Sequence, residues 1–209
     1  MACMEDVLEL YHAPYDRLHP LVCMDESSQQ LIGEVHAPIP HGPGHGQLID
    51  AEYIRNGVAD IFLEVEPLTG RRHVWITTSR KRLDWAAFIK AMLTERYPEA
   101  IKVRLVMDNL NTHAISSLYD AFAPAEARAL AQRLDIHYTP KHGSWLNIAE
   151  VEFSVLKSQC LNRRIPEIQI MRSEVAAWQA HRNNRAQPVN WRFNTDDARI
   201  KLKRLYPKM

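Results

Sequence analysis

Two apolar runs in this chain end in nearly the same words: Leu21-Val22-Cys23-Met24-Asp25-Glu26 and Leu105-Val106-Met107-Asp108-Asn109-Leu110. Short apolar runs of this kind read as buried strands, and each delivers a carboxylate at its C-terminal edge. Neighbouring strands lie about 4.8 Å apart, so two such carboxylates can share one cation. A third acid follows in Ser144-Trp145-Leu146-Asn147-Ile148-Ala149-Glu150-Val151-Glu152, at the start of a predicted helix. Two strand-end aspartates and a helical glutamate form a hard-oxygen donor set suited to Mg²⁺. Cations held this way support in-line displacement at a phosphodiester. Glu150 and Glu152 are two apart and point about 200° away from each other on a helix. Only one can face the aspartates, and spacing does not choose between them.

The rest of the composition bounds the class. At 209 residues, 46% hydrophobic and 24% charged, the chain predicts one large globular domain. No apolar stretch reaches 18 residues and the N-terminus lacks a signal-peptide pattern, so neither a membrane partner nor secretion is expected. Cys3, Cys23 and Cys160 are odd in number and far apart, which predicts a reducing, cytoplasmic setting without disulfides or thiolate zinc. His36, His41 and His45 border a Pro/Gly loop without accompanying cysteine and do not form a zinc pattern. Nucleophile and nucleotide motifs are missing: there is no GxSxG, Walker loop or GxGxxG. Net charge is only +1, but it is unevenly placed. Residues 1–60 carry two Lys/Arg against ten Asp/Glu, and residues 157–209 carry twelve against four. The basic end, including Arg199, Lys201, Lys203 and Arg204, is a candidate phosphate-contacting surface.

The pattern predicts strands at 20–25, 57–66, 72–78, 101–107 and 135–139. A hairpin turn falls at Pro67-Leu68-Thr69-Gly70. Helices are predicted at 4–12, 85–97 (with Asp84 as N-cap), 114–122, 124–134, 146–161 and 167–185, with a partly helical tail over 189–209. This order implies a mixed five-stranded α/β sheet flanked by helices, not a regular βαβ alternation. The segments are an N-terminal arm (1–19), a sheet domain bearing the three acids (20–165) and a basic helical extension packed on it (166–209). Glu26 and Asn109 are candidates to support the two aspartates. The loop Lys141-His142-Gly143-Ser144-Trp145 combines a cation, a glycine and a helix N-terminus, which suits a phosphate. His137 and His142 are further candidates for phosphate contact or proton transfer.

Met24-Asp25-Glu26, Met107-Asp108-Asn109-Leu110-Asn111-Thr112-His113 and Thr139-Pro140-Lys141-His142-Gly143-Ser144-Trp145-Leu146-Asn147-Ile148-Ala149-Glu150 together resemble the DDE transposases of the mariner superfamily. Leu146-Asn147-Ile148-Ala149-Glu150 is closest to the bacterial insertion-sequence branch, the IS six-thirty family. The resemblance selects Glu150 over Glu152. It implies a ribonuclease H-like fold and two Mg²⁺ or Mn²⁺ ions held by the catalytic Asp25, Asp108 and Glu150. It also implies hydrolysis at transposon ends, followed by attack of the 3′-hydroxyl on target DNA. The implied partners are double-stranded transposon-end and target DNA, a second copy of the chain and a separately encoded N-terminal helix-turn-helix portion, in a bacterial cytoplasm. Two rival expectations accompany it: a truncated DNA-binding or dimerisation fragment without activity, and a general ribonuclease H-like nuclease cutting hybrids. Forty-one residues separate Asp108 from Glu150, longer than in the eukaryotic relatives, and the extra length falls in helical sequence around 119–134.

Overall fold

The computed structural model describes residues 1–109, 114–141 and 143–206. At its centre lies a five-stranded sheet: β1 (Leu21–Glu34), β2 (Tyr53–Glu66), β3 (Arg71–Thr77), β4 (Val103–Met107) and β5 (Leu134–Tyr138), in the order β3-β2-β1-β4-β5. β2 is antiparallel to both β1 and β3, while β4 runs parallel to β1 and β5 parallel to β4. With helices on both faces, this is the ribonuclease H-like arrangement expected from the sequence.

Strand side chains alternate between faces, and the alternation sorts the core into two halves. Leu21, Cys23, Ile61, Leu63, Val65 and Val106 share one half with α1 (Ala2–His12), α5 (Ile148–Leu156), α6 (Ile168–Asn184) and α7 (Thr195–Lys201). Val22, Met24, Phe62, Val103, Leu105 and Met107 share the other with α2 (Arg82–Ala91), α3 (Ser116–Ala121) and α4 (Pro124–Gln132). Phe62 stacks on Phe88 of α2 at 5.4 Å between centroids. Each large side chain buried this way contributes roughly 1.5–3 kcal/mol. No helix among the described residues is long and apolar enough to cross a membrane.

Several expectations change in detail. The apolar run ending at Asp25 does not end its strand: β1 continues to Glu34, paired with β2 from Cys23↔Val65 to Glu34↔Tyr53. Ser27-Ser28-Gln29-Gln30 carries no apolar signal, and this stretch is held by backbone pairing. The register slips between Gln30 and Ile32, where Gly57 takes φ +107°, the left-handed backbone that a bulge demands and glycine tolerates. Asp84 is not the N-cap of α2. It lies in the first turn and accepts from Lys81 N (2.8 Å) and Ser79 Oγ (2.6 Å). The predicted helix over 146–161 is a 3₁₀ turn at Ser144–Leu146, then α5, then a wide π turn at Lys157–Leu161. The first nineteen residues contain α1, whose Met4, Val7, Leu8 and Tyr11 are buried in the core.

Candidate active site

β1 and β4 pair as Leu21↔Arg104, Val22↔Leu105 and Cys23↔Val106. Two more residues along that register, Asp25 and Asp108 come level. Alternation sends both toward the same half of the core, after Cys23 and Val106, the half that holds α5. Both are half-buried, as is Glu150. Asp25 lies where its parallel partner leaves the sheet, and its Oδ1 accepts from Glu26 N at 2.8 Å.

The third acid is carried in by a loop fastened at both ends. Thr139 N donates to Met107 O (3.0 Å), one residue before Asp108. Asn147 Nδ2 donates to Met24 O (2.9 Å), one residue before Asp25. Asn147 is 1% exposed and is also the N-cap of α5, its Oδ1 accepting from Ala149 N at 3.1 Å. One amide therefore starts the helix and ties that start to the strand bearing Asp25. Tyr11 adds a second tie, its hydroxyl donating to Leu146 O. Glu150 follows in the first turn of α5.

Glu152 has a different task. It is 7% exposed and faces Arg72 of β3, with Nε–Oε1 at 2.7 Å, and Arg182 of α6, whose Nη2 reaches Oε2 at 3.1 Å. Burial and Arg182 push the Arg72 guanidinium down, while Glu152 supports its charge. Glu152 thus joins α5 to β3 and α6.

The donors at 25, 108 and 150 are all carboxylates, which is the oxygen chemistry that Mg²⁺ and Mn²⁺ take. Cys23 beside them does not compete: burial pushes its thiol up to about 12, and it lies 3.3 Å from the Tyr11 hydroxyl. The donor set and its backbone placement fit a divalent cation. Among the described residues, no three Asp, Glu, His or Cys side chains close on a single point. The fold sets Asp25 and Asp108 level and ties the start of the helix that carries Glu150 to the strand of Asp25.

The remaining predicted residues separate. Strand alternation turns the Glu26 side chain to the opposite face from Asp25, where its Oε1 lies 3.7 Å from Arg80 Nη1. Glu26 reaches Asp25 through its backbone N–H instead. Asn109 is exposed directly after Asp108. Lys141, Ser144 and Trp145 are exposed on the fastened loop; His142, like Asn111, Thr112 and His113, lies outside the described residues. His137 is not aimed at the acids: its Nδ1 meets Asp6 of α1 at 2.7 Å. Arg199 is held by Glu5, and Lys201 pairs with Asp197 at 3.2 Å, whereas Lys203 and Arg204 are exposed on a 3₁₀ turn. Sequence reasoning missed Asn147 and Tyr11. The Asn before a helical run is a recognisable cap, but its partner is 123 residues away.

A ribonuclease H-like sheet with one acid within its first strand, a second just past its fourth and a third in the first turn of α5 defines the class of fold. Within it, the chain belongs to the DDE superfamily endonuclease family, whose model matches residues 20–172. The fold is also that of a solved transposase. The Mos1 mariner paired-end complex with Mn matches with a TM-score of 0.55 and 13% identity, over 86% of this chain and 53% of that one. The Mos1 strand transfer complex matches with a TM-score of 0.58 and 12% identity, over 86% and 52%. The chain thus spans about half the length of the solved chains it matches. No curated protein matches it.

Proposed function

We propose that this chain is the catalytic part of a DNA transposase of the bacterial insertion-sequence kind. It would nick transposon ends by hydrolysis and join the freed 3′-hydroxyl to target DNA. What supports this reading is the common level and common face of Asp25 and Asp108, together with a loop pinned to Met24 and Met107 that leads into the helix carrying Glu150. These three side chains would hold Mg²⁺ or Mn²⁺, whose chemistry is to activate an attacking oxygen and stabilise a leaving one. The chain's own contribution is positional. Asn147 and Tyr11 hold α5 against β1, so that Glu150 keeps its place relative to the aspartates. The exposed Lys141, Lys203 and Arg204 would contact the strand through its phosphates, without reading bases.

Assembly with a second copy rests on the β1–β2 hairpin. Past its bulge, this hairpin and its loop expose Val35, Ile39, Leu48, Ile49, Tyr53, Ile54 and Val58. An apolar series of this kind is more than scattered surface residues. A helix-turn-helix portion would supply end recognition.

The experiment is Mg²⁺- or Mn²⁺-dependent nicking of end-sequence duplex DNA by the full chain, with Asp25→Asn, Asp108→Asn and Glu150→Gln alongside. Each variant is expected to lose at least about 100-fold in rate, more than the 10–100-fold typical of losing a residue that only supports a metal ligand. Nicking that survives chelation, or any one of the three changes, overturns the assignment. Cleavage confined to RNA–DNA hybrids would make the chain a general nuclease, and binding without cleavage would make it an inactive fragment.

A further inference from the structure

The loop that carries Glu150 into place also walls a cavity of about 400 Å³, which the chemistry above does not use. Its lining includes Met4 of α1, Pro140, Trp145 and Leu146 of the loop, and Leu202 and Leu205 near the C-terminal turn. This volume falls in the range of small-ligand pockets, roughly 300–1,000 Å³. We infer that the cavity receives an unpaired nucleobase at the end of a DNA strand, stacked on Trp145, while the adjoining phosphodiester lies toward the acids.

Three observations and one general constraint lead there. First, Trp145 is 43% exposed yet rigidly backed: it stacks on Trp191 at 6.4 Å and 13°, and Phe193 meets it edge-on at 5.6 Å. Trp191 in turn packs against Tyr11 at 5.0 Å. A large, fixed, half-open indole is a stacking platform. Second, the walls are apolar while the surroundings are cationic. Lys141 lies on the rim, and Lys203 and Arg204 sit on the turn that supplies Leu205. Among the described residues none of these three is held in an ion pair, unlike Arg199 and Lys201. An aromatic surface bordered by free cations is the signature of single-stranded nucleic-acid binding, the ring taking the base and the cations the phosphates. Third, the loop is fastened one residue before each aspartate, which couples an occupant's position to the acids. Fourth, a base inside a duplex is covered on both faces by its neighbours and cannot enter, so the occupant must be unpaired.

The inference rests on the reading of the chain as a DNA-processing enzyme, and the test separates the two. Binding of the full chain is measured by fluorescence anisotropy in chelator-containing buffer. The probes are a blunt duplex and the same duplex with a two-nucleotide 3′ overhang carrying 2-aminopurine. The overhang is expected to bind more tightly by about 5- to 150-fold, the range for stacking one base, with the 2-aminopurine fluorescence quenched. Trp145→Ala should erase both the preference and the quenching, and Trp145→Phe should keep most of each. Leu205→Trp fills the cavity from a position 61% exposed and should also erase the preference without touching the aromatic stack. Equal affinity for both probes, or a preference that survives both Trp145→Ala and Leu205→Trp, overturns the pocket alone. No affinity for either probe overturns the DNA-processing reading together with it.

Discussion

Glu64, Glu66 and Glu152 are 2%, 5% and 7% exposed, and each is answered from within the protein. Arg96 grips Glu64 through Nε (2.5 Å) and Nη2 (3.0 Å), Thr69 donates to Glu66 at 2.8 Å, and Arg72 and Arg182 flank Glu152. Asp25, Asp108 and Glu150 belong to the same sheet and its neighbouring helix, but they stop at half-burial where the sheet opens. A carboxylate moved into the interior needs a cation and hydrogen bonds to offset its lost hydration. In the first group arginine meets that requirement for Glu64 and Glu152, while Glu66 accepts from Thr69 through one oxygen only. The second retains access to solvent, so a cation from outside can reach it. The comparison separates acids that hold the fold from acids available for chemistry.

The largest way to test this contrast is to break one acid of each kind. Glu152→Ala leaves Arg72 buried without its closest counter-charge, and unfolding in urea should show a loss of about 3–5 kcal/mol. Glu150→Gln, two residues away, should shift stability by less than about 0.5 kcal/mol, as expected of a partly exposed helix position. The rates should respond in reverse, with nicking lost in Glu150→Gln. A Glu150→Gln protein as destabilised as Glu152→Ala would erase the distinction.

A second test uses protons. Burial raises the Glu64 carboxyl to about 7 against the pull of Arg96, while burial and then Arg96 lower the cross-strand His73 to about 4. Glu64 is therefore stabilising when protonated, a contribution present below its ordinary 4.5 and lost as pH rises through 7. His73 behaves oppositely: its contribution is present above its ordinary 6.5 and lost as pH falls through 4. Between about pH 4.5 and 6.5 the two offset each other. His73→Gln should expose stability that falls with rising pH, and Glu64→Gln stability that rises with it, each by up to about 1.4 kcal/mol per pH unit. Glu66, also raised by burial, adds to the Glu64 direction. Slopes of the same sign in the two variants, measured by urea midpoints across that range, would show that the pair is not set by burial.

Much of this division was readable in the chain before any coordinates. Period-2 alternation gives each aspartate a face within its own run, but what brings Asp25 and Asp108 level is the register Cys23↔Val106, which the two runs alone do not specify. Glu150 and Glu152 were not separable by spacing. What assigns Glu152 is Arg72 on β3 and Arg182 on α6, contacts made only after the sheet and helices assemble. The extension of β1 past Asp25 was equally hidden, because a polar stretch gains its order from the hydrogen bonds of its partner strand. Asp84 misled for a local reason: a carboxylate serves a helix start from the first turn as well as from the cap.

The smallest effect tests the link between fold and site. Asn147 does two things with one side chain: it caps α5 through Oδ1 and holds Met24 O through Nδ2. Asn147→Ser keeps a capping oxygen but is too short to reach the strand, whereas Asn147→Ala removes both. The alanine protein should be less stable than the serine protein by about 1 kcal/mol, the usual worth of an N-cap. If the tie to Met24 sets the position of Glu150, nicking should fall by a similar factor in both variants, regardless of that stability difference, and by less than in Glu150→Gln. A serine protein with full activity would mean that the cap, together with the Tyr11 bond to Leu146, suffices to place Glu150, and that the amide bridge to β1 serves stability alone.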